Sequence, residues 1–172
     1  MSDKQRILIA DDSEMNRAIL TEMLGEKYEI LEAENGQQAI EMIEQNSDID
    51  LLLLDIMMPV KDGFDVLAAM NQYHWIDELP VIMISAESAT SFVERAYDLG
   101  ATDYISRPFD MAVVRRRVVN TLMLYGKQKR LMQLVADQIY ENEKSNSLMI
   151  TILSHIVEFR NGESGLHVLH IR

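Results

Sequence analysis

Short apolar runs at residues 7–10, 51–54 and 80–84 end on polar side chains: Asp11, Asp55 and Ser85. Runs of that length and continuity predict strands covered on both faces. Residues 28–33 alternate well enough for a second strand, and 101–105 for a last short one. Between the runs, apolar residues recur at helical spacing. Met15, Ile19, Leu20, Met23 and Leu24 predict a helix that Ser13 or Asp12 can cap and Gly25 stops. Asn35-Gly36 marks a turn, after which Ala39, Ile40 and Ile43 predict a second helix. Asp62-Gly63 closes a loop before a third helix carrying Phe64, Leu67, Ala68 and Met70. Residues 92–99 predict a fourth, stopped by Gly100. Strand followed by helix, five times over, predicts an α/β fold: a doubly wound, five-stranded parallel sheet with its most apolar strands in the centre.

After Arg107-Pro108 the pattern changes. Val118, Leu122, Tyr125, Lys129, Met132, Ala136 and Ile139 are spaced alternately four and three, a heptad seam interrupted by Lys129 and flanked by Gly126. A helix packed on its own domain accounts for 114–122. A pattern that continues past the natural end of the domain points instead to a protruding helix that pairs with a second copy. Ser145-Asn146-Ser147 breaks the seam and precedes a further helix at 148–159. The expected organisation is a domain at 1–125, a helical linker with coiled-coil character at 126–146, and a third segment at 147–172.

Composition narrows the function. There is no cysteine, hence no thiolate nucleophile and no cysteine zinc site. No apolar stretch spans a membrane and the N-terminus does not resemble a signal peptide, so a cytoplasmic protein is expected. The net charge of −12 is unevenly spread: residues 1–110 hold 7 basic and 23 acidic residues, residues 111–172 hold 9 and 5. A field of that sign repels phosphate, which argues against direct nucleic-acid binding by the acidic part. Arg115-Arg116-Arg117 is short and has no interleaved aromatics, and reads as a solvated helix face.

Ligands of an open parallel sheet sit outside the C-terminal ends of its strands. There the sequence places Asp11 and Asp12 after the first strand, Asp55 after the third, Ser85 after the fourth and Arg107 past the fifth. Three clustered carboxylates repel one another unless a cation compensates them. Mg²⁺ suits one or two carboxylates with water and phosphate oxygens. A carboxylate can attack phosphorus, and a nearby hydroxyl and cation can hold the transferring oxygens. These are the parts for phosphoryl transfer to Asp55.

Five segments carry a resemblance: Ile7-Leu8-Ile9-Ala10-Asp11-Asp12, Leu51-Leu52-Leu53-Leu54-Asp55-Ile56-Met57-Met58-Pro59, Asp62-Gly63, Val81-Ile82-Met83-Ile84-Ser85-Ala86 and Tyr104-Ile105-Ser106-Arg107-Pro108-Phe109. From about residue 5 to 125 the chain resembles the receiver domain of two-component response regulators. The resemblance implies a flavodoxin-like sheet of order 2-1-3-4-5 and a sensor histidine kinase as phosphoryl donor to Asp55. It implies Mg²⁺ held by Asp12 and Asp55, by Asp11 through water, and by the backbone carbonyl of Met57. Ser85 and Tyr104 would be the switch pair, and the fourth helix, fifth strand and fifth helix the output surface. One position departs from the family, which has lysine where this chain has Arg107; the charge is kept and the geometry is not. That departure leaves a phosphate-independent dimerisation module as the alternative function.

The last residues, from Ile152-Leu153-Ser154-His155 through Leu166-His167-Val168-Leu169-His170, resemble the opening of HD-GYP domains, metal-dependent phosphodiesterases acting on cyclic di-GMP. His167 would match the first metal-binding histidine; His155 and His170 read as surface or packing residues. The family's His-Asp pair and Gly-Tyr-Pro motif are absent, so this chain is not expected to be an enzyme and is expected to be a fragment of a longer protein.

Overall fold

A computed structural model of the chain describes residues 4–142 and 146–161. Five strands, β1 (Arg6–Ala10), β2 (Glu29–Ala33), β3 (Leu51–Leu54), β4 (Val81–Ser85) and β5 (Asp103–Ser106), form one sheet of order β2-β1-β3-β4-β5. Every neighbouring pair is parallel, with Ile7 opposite Leu51, Leu52 opposite Val81 and Ile82 opposite Asp103. The flavodoxin-like expectation therefore holds. Strand order follows apolarity: β3 and β4 are buried at every residue, whereas edge strand β2 is exposed or half-buried except at Ala33. A central strand covered by helices on both faces must be apolar throughout.

The connecting helices are α1 (Glu14–Leu24), α2 (Gly36–Gln45), α3 (Gly63–Gln72) and α4 (Thr90–Asp98). Their starts are set locally. The Ser13 hydroxyl accepts from Asn16 N–H at 3.3 Å, and Asn35 Oδ1 accepts from Gln38 N–H at 2.8 Å. Asp62 and Asp65 form a reciprocal capping box, each carboxylate taking the other residue's N–H. Ser13, rather than Asp12, is thus the cap of α1. Leu8, Ala10, Leu52, Leu54, Phe64, Leu67, Met70 and Met83 lie in one continuous core.

The fifth strand begins two residues later than the apolar run suggests, because Gly100 turns the chain at φ +99° and Thr102 first donates its N–H to the Val81 carbonyl. A single 3-10 turn at Trp75–Asp77, entered through His74 at φ 60°, lies in a stretch for which the sequence predicted no element.

The chain divides into two compact units, the first ending at Thr121 and the second beginning at Leu122. Helix α5 (Met111–Glu141) is continuous through Gly126, and α6 follows at Asn146–Asn161. Within the second unit, Tyr125 and Gln128 are buried and Met132, Val135 and Ile139 half-buried, while Lys129 and Ala136 of the predicted seam are exposed. A second stripe, Leu124, Leu131 and Leu134, is open to solvent at 45%, 49% and 60%. Among the described residues, no helix is long and apolar enough to cross a membrane.

Candidate phosphoacceptor site

The C-terminal edge of the sheet gathers the acidic residues. The Asp11 N–H is donated to the Ala33 carbonyl and the Asp55 N–H to the Ala10 carbonyl, at 3.1 and 2.9 Å, so the ladder carries both residues to the rim. Asp11 is 1% exposed and Asp55 7%, whereas Asp12 is open to solvent. One carboxylate oxygen from each of Asp11, Asp12 and Asp55 lies within 4.8 Å of the others.

The two buried carboxylates are held by backbone donors. Asp11 Oδ1 accepts from Ser13 N–H at 2.9 Å, and Asp55 Oδ1 from Ile56 N–H at 2.8 Å. Burial pushes the Asp55 carboxyl above its ordinary pKa and the Asp11 charge pushes the same way; Arg107, the Ile56 N–H and the Ser85 hydroxyl pull it back. The set is of hard oxygen donors, mutually repelling and partly solvated, which fits a divalent cation such as Mg²⁺ and suits no soft metal.

Ser85 and Arg107 approach from the other half of the sheet. Ser85 is 1% exposed, and its Oγ accepts from Glu87 N–H at 3.2 Å. The Arg107 N–H is donated to the Ser85 carbonyl at 2.9 Å, and the Arg107-Pro108 peptide is cis. The Arg107 guanidinium forks: Nη1 lies 3.4 Å from Asp55 Oδ2, and Nη2 donates to Asp11 Oδ2. The sequence predicted a cation near Asp55; its reach to Asp11 is new. Tyr104 is buried, its hydroxyl donating to the Glu87 carbonyl, and burial pushes its pKa up.

Two features were missed in the sequence. Arg17, 7% exposed on α1, donates to the Asp11 carbonyl at 2.7 Å and to Glu32 at 3.1 Å. Its signal was a charge in the buried stripe 17, 20, 24. Gly63 approaches the site so closely that a Cβ there would sit 2.4 Å from the Asp55 carbonyl oxygen.

Met57 follows Asp55 in the loop to α3, its side chain 58% exposed. His155 lies exposed on α6, while His167 and His170 fall outside the described residues.

Residues 7–119 match the family model for the response regulator receiver domain. The chain is 34% identical to the chemotaxis protein CheY of Halobacterium salinarum, over 69% of this chain and 97% of that one. It is 30% identical to the "Probable cyclic di-GMP phosphodiesterase" of Vibrio cholerae serotype O1, over 95% of this chain and 38% of that one. The CheX-CheY-BeF3-Mg²⁺ complex of Borrelia burgdorferi contains a similar chain, with TM-score 0.62, 32% identity, and coverage of 67% of this chain and 87% of that one. The chain spans between 38% and 54% of the length of the first three curated relatives it matches.

Proposed function

Because this chain belongs to the receiver domain family of two-component response regulators, we propose that Asp55 accepts a phosphoryl group from the phosphohistidine of a sensor kinase. The observation that carries this reading is the cluster of Asp11, Asp12 and Asp55 facing Ser85 and Arg107 at the C-terminal edge of the sheet. Asp55 Oδ2 forms the new P–O bond as the donor's P–N bond breaks. The electron pair passes to the imidazole nitrogen, and the histidine leaves as neutral imidazole with a proton from solvent or from its other ring nitrogen. Asp55 Oδ1 stays oriented by the Ile56 N–H. The Ser85 hydroxyl and the Arg107 guanidinium are the donors available to the transferred oxygens. Mg²⁺, held by Asp12, Asp55, the Met57 carbonyl and Asp11 through water, would supply the positive charge that offsets the phosphoryl oxygens.

The phosphorylated state is read through Ser85 and Tyr104. A hydroxyl drawn towards the phosphoryl group changes the β4–α4 loop, where Glu87 bonds both residues. The change reaches α4, β5 and α5, and through the length of α5 an output of the HD-GYP phosphodiesterase type. Similarity to the Vibrio cholerae protein over nearly the whole chain supports that output.

Pairing of two copies through α5 is supported by the exposed leucines. Leu124, Leu131 and Leu134 fall at spacings of seven and three, a heptad stripe turned to solvent. Leu131→Asp with Leu134→Asp should convert a sedimenting dimer to a monomer. If Asp55→Asn leaves the dimer unchanged, pairing is independent of phosphate.

The primary reading is tested by intact-mass spectrometry with Mg²⁺ and acetyl phosphate. One phosphoryl adduct is expected, absent in Asp55→Asn. An adduct that persists in that variant refutes it.

A further inference from the structure

Arg107 is the residue by which the chain departs from the receiver pattern, and its role rests on the acidic cluster being a Mg²⁺ site. Each buried carboxylate spends one oxygen on the backbone: Asp11 Oδ1 on Ser13 N–H and Asp55 Oδ1 on Ile56 N–H. The second oxygen of each, Asp11 Oδ2 and Asp55 Oδ2, lies on the fork of Arg107. Only exposed Asp12 among the three acids has no bond to that guanidinium.

We propose that Arg107 is a built-in antagonist of the divalent cation: its guanidinium spans Asp11 and Asp55 as a resident cation, and Mg²⁺ enters only by displacing it from them. The geometry requires a fork. A guanidinium presents two N–H donors at a fixed separation and holds two carboxylates at once, while an ammonium is a point charge on a flexible stem. The Arg107 side chain is 17% exposed, so it is not freely exchanged with solvent, and its Nε is buried without a partner among the described residues. A divalent cation drawn to this cluster needs the negative charge of Asp11 and Asp55 that Arg107 now neutralises, and it meets a second positive charge beside them. Asp12 remains the point of first contact, and release of Asp11 by Arg107 is the step that completes the site.

The test is titration of the full chain with MgCl₂ by isothermal calorimetry, for wild type, Arg107→Lys and Arg107→Met. Arg107→Lys should bind about fivefold tighter than wild type, because the charge is kept and the fork is lost. Arg107→Met should bind tighter still. Thermal unfolding supplies a second readout: without metal Arg107→Met should melt below wild type, and saturating Mg²⁺ should raise its midpoint more than that of wild type. Binding of Arg107→Lys within twofold of wild type would overturn the proposal while leaving Mg²⁺ binding in place. If no variant binds Mg²⁺, both the proposal and the underlying reading fall.

Discussion

Arg17→Met isolates the support beneath the acidic cluster. The methionine keeps most of the apolar stem and removes the guanidinium. Two interactions go with it. The first is the hydrogen bond from Arg17 Nη1 to the Asp11 carbonyl, a buried contact of 2.7 Å. A hydrogen bond from a charged donor is worth about 1.5–3 kcal/mol, and here the carbonyl is left buried and unsatisfied. The second is the ion pair with Glu32 at 3.1 Å, whose partner side chain is 46% exposed; solvent screening leaves about 0.5 kcal/mol. The contact to Glu34, at 3.8 Å and with its partner 68% exposed, adds nothing. The loss is therefore roughly 2–3.5 kcal/mol. An unfolding entropy of about 2.1 cal/mol/K per residue over a unit of roughly 120 residues converts this to a fall of about 8–14 °C in Tm. Differential scanning calorimetry of the full chain measures it, with Glu32→Gln as the control that removes only the screened ion pair. A fall in Arg17→Met no larger than that in Glu32→Gln would show that the Asp11 carbonyl does not depend on Arg17.

Three further outcomes follow from the site. Without metal, Asp55→Asn should be more stable than wild type at pH 7, by on the order of 1 kcal/mol. The folded state holds the Asp55 proton more tightly than the unfolded chain, so this contribution to stability is present below the ordinary Asp range and lost as pH rises through the elevated folded pKa. The gap should close on acidification, and a constant gap from pH 3 to 7 would contradict it. Gly63→Ala should cost about 1–3 kcal/mol in denaturant unfolding, because the new Cβ meets backbone atoms of Asp55 and Ile56 at 2.4 and 2.9 Å; an unchanged midpoint would show that the loop yields. Tyr104→Phe removes the bond to the Glu87 carbonyl and the hydroxyl's contact with Ser85, and should cost about 1 kcal/mol. Calorimetry reads it, and a loss above about 3 kcal/mol would mean that the hydroxyl supports more than those contacts.

The sheet was legible because its central strands obey one constraint. Leu51 to Leu54 are buried on both faces, and such a strand leaves no other pattern. The acidic positions were legible for a related reason: a carboxylate directly after a buried strand has a known address at the rim. What was not legible depends on distance in the sequence. Arg107 and Asp11 were placed at the same edge of the sheet, but strand order does not say which carboxylates a guanidinium will bond, and the fork onto Asp11 was not legible. Arg17 was not singled out in the sequence, and its partners, the Asp11 carbonyl and Glu32, come from the loop after β1 and from β2. The acceptor for the Tyr104 hydroxyl is a backbone carbonyl, which no side-chain pattern encodes. The 3-10 turn at Trp75–Asp77 is three residues long and has no periodicity to detect. In the single chain the less exposed face of α5 runs through Gln128 and Val135 rather than Lys129 and Ala136 of the predicted seam, as a helix advancing by 3.6 residues per turn would place it.

The central claim is that Asp55 is the residue that carries the phosphoryl group. Borohydride reduction of the phosphorylated chain converts an acyl phosphate to the alcohol, turning the modified aspartate into homoserine. Peptide mapping by tandem mass spectrometry then reads the position directly. Homoserine at 55, dependent on Mg²⁺ and on the phosphoryl donor, is the expected result; homoserine at Asp11 or Asp12 instead, or at no aspartate, would contradict the account.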